Sequence, residues 1–341
     1  MPLYDNILDT IGRTPIVKLH RLPPEHVTVY VKVESFNPGG SVKDRLALAV
    51  VLDAEAKGLL KPGDTIAECT SGNVGIALAM VAAARGYRFV ALMSDTYSME
   101  RRKLIRAYGG KVILFPGAEG SSGGNRRADE LAAKHGWFRA NQFDNPANPA
   151  YHRETTASEI LSDFAGKRLD YFVTGFGTCG TLTGVGQMLK LARPEVRVIA
   201  VEPDNAAVLS GQAWNVHKIQ GWAPNFVPSV LDQTVIDELL TVDEVLGRDT
   251  ARRLAAEEGI FAGISAGATL ATALRVAASA PAGSVLLAML PDTGERYLST
   301  FLLEGMNEGS DDEWLASLDA AAPPATRKVG KPLSLAYPAA T

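Results

Sequence analysis

Apolar residues repeat along this chain with two alternating periods. Val27-Thr-Val-Tyr-Val-Lys-Val-Glu34 is rich in β-branched residues and repeats at every second position, which predicts a strand. Similar short runs predict strands at 89–94, 112–115, 171–174, 196–201 and 285–290. Between them, apolar residues at helical spacing predict helices over 42–58, 73–85, 99–108, 125–135, 153–164 and 242–258. Strands alternating with helices predict an α/β architecture with mostly parallel sheets and right-handed crossovers. No repeat of fixed period is visible. In such folds ligands bind beyond the carboxyl ends of the strands, so the loops that follow strands are where chemistry is expected.

Composition narrows the choice of partners. With 341 residues, 46% of them hydrophobic, the chain can bury a large core, and its length suggests two domains or one large one. The net charge of -4 and the lack of a Lys/Arg cluster interleaved with aromatics argue against nucleic acid and for small-molecule or protein partners. Met1-Pro-Leu-Tyr-Asp5 lacks the charged-then-apolar pattern of a signal, and the apolar stretch 76–84 is too short to span a bilayer, so a cytoplasmic location is expected. Cys69 and Cys179 form no CxxC pair and are expected to be free thiols, with no metal site. Residues 141–149 read as a loop, and 320–341, rich in Ala and Pro, as a poorly ordered tail.

Five segments carry candidate chemistry. Ser35-Phe-Asn-Pro-Gly-Gly-Ser-Val-Lys43-Asp-Arg45 joins the first strand to a helix, with Ser41 as a candidate N-cap and Lys43 in the first turn. A cation there is disfavoured by up to about 1 kcal/mol. Lys43 is therefore either an exposed lysine paired with Asp44, or a lysine of lowered pKa able to form a Schiff base. Gly175-Phe-Gly177-Thr-Cys-Gly180-Thr181 sits between a strand and a helix, where its N–H groups would converge on an anion. Its GxGxxG spacing, with Glu202 ending the next strand, also matches a dinucleotide site, and a structural tight turn is a third reading. The hydroxyls of Thr178 and Thr181 tip the balance toward a terminal phosphate monoester.

Glu68-Cys-Thr70-Ser71-Gly72-Asn73-Val74-Gly75 precedes an apolar helix and either binds a small carboxylate or, through Ser71 or Asn73, only caps that helix. Phe261-Ala-Gly-Ile-Ser265-Ala-Gly267 and Leu290-Pro-Asp-Thr-Gly294-Glu-Arg-Tyr297 are placed to face the same cleft, although Ser265 also reads as an N-cap.

In this order the segments resemble the fold type II pyridoxal-phosphate enzymes, specifically the cysteine synthase (O-acetylserine sulfhydrylase) and cystathionine β-synthase group, over residues 4–304. The resemblance implies a two-domain, three-layer αβα fold of tryptophan synthase β type. Residues 1–43 with 149–305 would form the larger cofactor domain, 44–148 a smaller mobile domain, and 306–341 a tail. It implies that Lys43 forms the Schiff base with pyridoxal 5'-phosphate and that Gly177, Thr178, Cys179, Gly180 and Thr181 hold the phosphate. Asn73 would bond the ring hydroxyl, Ser265 would sit at the pyridine nitrogen, and Thr70, Ser71, Asn73 and Gln142 would bind the substrate carboxylate. A neutral serine at that nitrogen makes the cofactor a weaker electron sink and favours β-elimination over transamination.

The expected function is β-replacement on an O-activated L-serine through an α-aminoacrylate, with Lys43 as general base, most simply cysteine synthase using O-acetylserine and sulfide. The alternative is a related enzyme using O-phosphoserine or another nucleophile: homocysteine, thiosulfate, cyanide or an amine. A homodimer is expected, and the C-terminal tail of serine acetyltransferase is a candidate partner. An NAD-dependent dehydrogenase is a remote alternative, because it gives Lys43, Asn73 and Ser265 no role. Three departures from the family pattern bear on specificity. Val74 replaces a threonine, Cys179 replaces a glycine, and Trp222 with Pro224 stands where smaller residues are usual.

Overall fold

The computed structural model describes residues 3–320. Its strands are β1 (Ile16–Lys18), β2 (Thr28–Val33), β3 (Thr65–Cys69), β4 (Arg88–Ser94), β5 (Lys111–Phe115), β6 (Phe138–Arg139), β7 (Tyr171–Gly175), β8 (Arg197–Pro203), β9 (Glu238–Val242) and β10 (Val285–Leu290). The α-helices are α1 (Lys43–Ala56), α2 (Asn73–Arg85), α3 (Met99–Ala107), α4 (Gly120–His135), α5 (Ala147–Glu154), α6 (Thr156–Asp163), α7 (Gly180–Ala192), α8 (Glu244–Glu258), α9 (Ile264–Ser279) and α10 (Asp312–Ala320).

They build two sheets. The larger runs β1-β2-β10-β7-β8-β9 and is parallel except for the edge pair β1–β2. The smaller runs β5-β4-β3-β6 and is parallel throughout. Fully buried parallel strands read as continuous apolar runs, and β8 and β10 do so. Among the described residues, 3–303 form one compact unit and 304–320, with α10, belong to a second. The tail expected beyond residue 320 lies outside the described residues. Among the described residues no helix is long and apolar enough to cross a membrane.

This topology sets the place of the site. β10 lies between β2 and β7, so the chain leaving β2 toward Lys43, the turn after β10 and the glycine loop after β7 emerge side by side. The loop after β3 brings the smaller sheet's contribution. Several expected elements shift. The helix expected over 153–164 is broken at Thr155 (φ -111°, ψ -72°) into α5 and α6, and α5 takes over the last residues of the expected 141–149 loop. β3 is missing from the sequence reading because Glu68 interrupts its apolar run. In the fold Glu68 is buried and accepts from Asn141 N (2.8 Å), Gln142 Nε2 (3.1 Å) and Arg139 (3.3 Å).

Candidate active site

The Lys43 turn is pinned from beneath by buried charge. Glu34, at the end of β2, accepts from Arg45 Nε (2.8 Å), Thr14 Oγ1 (2.6 Å) and Asn37 Nδ2 (2.8 Å). Arg45 also binds Glu159 of α6 (2.7 Å), which in turn pairs with Lys32 (2.7 Å). Asn37 Oδ1 accepts from Gly12 N at 2.8 Å and fixes the start of the turn. Two carboxylates and two cations balance within this cluster, as buried charges require.

Val42, not Ser41, precedes α1, and Ser41 Oγ accepts from Lys43 N at 3.2 Å. Lys43 is not paired with Asp44. Asp44 turns away to accept from Gly39 N at 2.6 Å, and burial raises its carboxyl to about 7. The Lys43 side chain lines a cavity of about 780 Å³, and its Nζ has no hydrogen-bond partner among the described residues. Burial lowers its pKa, with Asp292, Glu34 and Cys179 pulling the other way. That combination does not fit the reading of Lys43 as an exposed lysine paired with Asp44.

The same cavity is lined by Gly177, Thr178, Cys179, Gly180 and Thr181. The N–H groups of these five residues find no protein acceptor among the described residues, and they crowd the N-terminus of α7. Gly180 is required by packing, since a Cβ there would overlap Asn148 Oδ1. Cys179 adopts the left-handed region (φ 63°) that glycine normally fills, and its buried thiol is pushed up by desolvation. His152 lies beneath the loop. Its Nε2 meets Thr181 Oγ1 at 3.4 Å and its Nδ1 meets Thr156 Oγ1 at 2.8 Å, and burial lowers its pKa to about 3, so the ring is neutral. Glu202, the acid a dinucleotide site needs, is buried and accepts from Leu209 N (2.8 Å), Ser210 N (3.0 Å) and Ser210 Oγ (2.5 Å). It closes a turn and is not available to a ribose.

Across the cavity, neither Ser71 nor Asn73 caps α2. Gly72 (φ 143°) occupies the N-cap, and Thr70 Oγ1 accepts from Gly72 N (3.0 Å) and Gly75 N (3.2 Å). The N–H groups of Ser71, Asn73 and Val74 have no protein acceptor among the described residues. The side chain of Asn73 bridges Asp292 Oδ2 (2.6 Å) and Arg296 (2.8 Å), and Gln142 Nε2 donates to Glu68 and to Cys69 O (2.6 Å). Ser265 lies inside α9 after the N-cap Gly263, and its hydroxyl faces the cavity without a described partner. Each site residue named from the sequence therefore lines one cavity.

Three neighbours escaped the sequence reading. Arg101 of α3 is buried, bonds Ser71 O (3.1 Å) and Gln220, and lies over the Tyr297 ring at 4.8 Å. His152 and Asp292 are the others. Asp292 lies in the segment expected at the cleft but was given no role there, and the bonds that bring Arg101, His152 and Asp292 to the site reach residues more than twenty positions away. Trp222 packs against Gly175, where any Cβ would overlap its indole, and forms part of the cavity wall.

A free amine, a nest of unpaired N–H groups at a helix N-terminus and a neutral hydroxyl opposite make up a donor set that fits an aldehyde cofactor bearing a phosphate and a ring nitrogen. The chain belongs to the pyridoxal-phosphate dependent enzyme family, which matches residues 7–292. It is a pyridoxal-phosphate enzyme of the β-substitution class with a type II fold. Among its relatives, it is 80% identical to O-ureido-L-serine synthase of Streptomyces lavendulae over 319 residues, 94% of this chain and 98% of the relative. It is 48% identical to cysteine synthase of Staphylococcus aureus over 297 residues, 87% and 96% of the two chains. The crystal structure of the O-ureido-L-serine-bound K43A mutant of O-ureido-L-serine synthase superposes with a TM-score of 0.93 at 79% identity, covering 94% of this chain and all of that one. Cysteine synthase of Entamoeba histolytica superposes with a TM-score of 0.85 at 38% identity, covering 94% and 97%.

Proposed function

We propose that the enzyme joins an O-activated L-serine to hydroxyurea: O-acetyl-L-serine and hydroxyurea give O-ureido-L-serine and acetate. The observation that carries this reading is the 80% identity to O-ureido-L-serine synthase across nearly its whole length, against 48% to cysteine synthase. Cysteine synthase, the first expectation from the sequence, therefore gives way to its alternative of another nucleophile. The product's name defines that nucleophile. A serine carrying a ureido group on oxygen needs a new bond from Cβ to the hydroxyl oxygen of hydroxyurea, while the acetyl ester C–O bond at Cβ breaks and acetate leaves with the electron pair. Val74 and Trp222, two of the departures from the family pattern, both line the cavity and support a changed nucleophile.

The cofactor, when bound, supplies the electron sink that makes the α-proton of the amino acid acidic. Lys43 would anchor it through Nζ, and the same nitrogen, as a free amine, would take the α-proton of the substrate. The unpaired N–H groups of Gly177 to Thr181 would hold the phosphate, and Ser265 would meet the ring nitrogen. The free N–H groups of Ser71, Asn73 and Val74 at the start of α2 would receive the substrate carboxylate, with the hydroxyls of Thr70 and Ser71 and the amides of Asn73 and Gln142 around it.

The test is a competition with O-acetylserine and equal hydroxyurea and sulfide, read by mass spectrometry. O-Ureido-L-serine is expected with hydroxyurea alone, at a kcat/KM at least about tenfold above that of an authentic cysteine synthase. Cysteine formation without any O-ureido-L-serine would return the enzyme to cysteine synthase. A second expected outcome concerns the phosphate loop. Gly180→Ala forces its methyl group against Asn148, and overpacking of about 1–3 kcal/mol should weaken cofactor affinity about tenfold or more. Titration of the stripped protein with pyridoxal phosphate measures it, and unchanged affinity would remove the loop from the phosphate site.

A further inference from the structure

Asp292 is absent from every role assigned so far, yet it touches three of the segments that carry the proposed chemistry, those of Lys43, Asn73 and Ser265. Its backbone pairs with Ser41 in an isolated antiparallel bridge, and Val42 N donates to Pro291 O at 2.8 Å, so the turn after β10 fixes the residues just before Lys43. Gly263 N, at the start of the helix that presents Ser265, donates to Asp292 O at 3.1 Å. The side chain completes the set, since Oδ2 accepts from Asn73 Nδ2 and from the Tyr297 hydroxyl, both at 2.6 Å.

The other carboxylate oxygen is the informative one. Asp292 is 1% exposed, and its Oδ1 is buried with no hydrogen-bond partner among the described residues. It lies so close over Gly263 that a Cβ there would overlap it. A buried carboxylate oxygen left without a donor is costly, so each such oxygen in a folded protein calls for an explanation. Lys43 follows directly on the backbone that this turn pins, and Asp292 is foremost among the groups whose charge favours its ammonium form.

We propose that Asp292 is a positioning residue for the reaction. Its carboxylate holds Asn73 and Tyr297 through Oδ2 and directs negative charge at Lys43, favouring the ammonium that Lys43 becomes when it takes the α-proton. This rests on the reading of Lys43 as the base in β-replacement. The groups facing Lys43 are Glu34, Cys179 and His152 besides Asp292. Glu34 is neutralised by Arg45, while the thiol and the imidazole are uncharged near neutral pH. Arg296 and Arg101 approach from the side of Tyr297 and oppose Asp292. Among the groups that interact with Lys43, Asp292 is therefore the carboxylate without a cation paired to it by an ion pair.

Asp292→Asn separates charge from shape, because an amide oxygen can still accept from Asn73 and Tyr297. In the holoenzyme the variant is expected to lower kcat about tenfold or more, with the KM for O-acetylserine within about threefold. The ascending limb of its kcat–pH profile should move to lower pH by about one unit. Tyr297→Phe removes a donor from Oδ2, strengthens the field at Lys43 and should move the limb to higher pH. A readout independent of turnover is the pH dependence of Lys43 acetylation by acetic anhydride in the full chain stripped of cofactor, followed by peptide mass spectrometry. The same two opposite shifts are expected there.

Limbs and labelling midpoints that stay in place in both variants would overturn the proposal, as would a fall in kcat without any shift. A wild-type enzyme that shows no β-replacement at all would instead overturn the reading of the reaction, while the labelling shifts would still report on the field at Lys43.

Discussion

Lys43→Ala is expected to reduce turnover by about 10³-fold or more, while the protein still folds and still takes up amino acid. The loss combines two effects at one nitrogen: the covalent anchor of the cofactor and the base that removes the α-proton. The amine already sits in a lined cavity with no protein partner, so its removal leaves no broken hydrogen bond behind. Lys43→Arg should fare no better, because a guanidinium stays charged and can neither form a Schiff base nor accept the proton. Since burial lowers the Lys43 pKa, the neutral amine is populated at lower pH than for an ordinary lysine near 10.5. The rate of the wild type should therefore rise with pH along a limb centred below that value. Steady-state kcat with bound-cofactor absorbance, across pH, checks the whole set. Activity in Lys43→Ala within tenfold of wild type would remove Lys43 from the chemistry.

The sequence made the parallel α/β class and most of the cavity wall legible because both depend on local patterns. Strand-to-helix loops rich in glycine and hydroxyls announce themselves within about ten residues, and β2, β10 and β7 carry them to one edge. What stayed hidden depends on distant partners. β3 was masked by Glu68, whose charge is tolerated only because Asn141, Gln142 and Arg139 gather around it from more than seventy residues away. The break at Thr155 that ends α5 falls at the β-branched pair Thr155-Thr156, a weak local signal that the apolar spacing on either side outweighs. Arg101 reads as an ordinary charged residue in sequence, and Asp292, although in a segment expected at the cleft, carries no sign there of its bond to Asn73; only folding brings them beside Asn73, Tyr297 and Ser71. The nucleophile was the least legible feature, since it is set by cavity shape and not by any single motif.

Glu34→Gln should be the most damaging substitution for stability outside the cavity. Glu34 is fully buried and receives two bonds from Arg45, at 2.8 and 3.0 Å, besides those from Thr14 and Asn37. Removing its charge leaves Arg45 and Lys32 to share Glu159 alone, an uncompensated buried cation that typically costs about 3–5 kcal/mol. The double variant Glu34→Gln with Arg45→Met should cost less than the sum of the two singles, because it removes both charges of the pair. The pH dependence follows from Glu34 itself, whose carboxyl lies at about 2 in the fold against an ordinary 4.5. Burial opposes the shift, and Arg45 more than offsets it. A depressed carboxylate contributes stability that is fully present above pH 4.5 and is lost as pH falls through 2, so the wild type should weaken across that window and Glu34→Gln should not share the slope. The consequence reaches the site. Asn37 loses an anchor, the Lys43 turn loosens, and cofactor content should fall together with the urea midpoint. A midpoint that drops by less than about 1 kcal/mol equivalent, with full cofactor retained, would show that the cluster beneath Lys43 does not hold the turn in place.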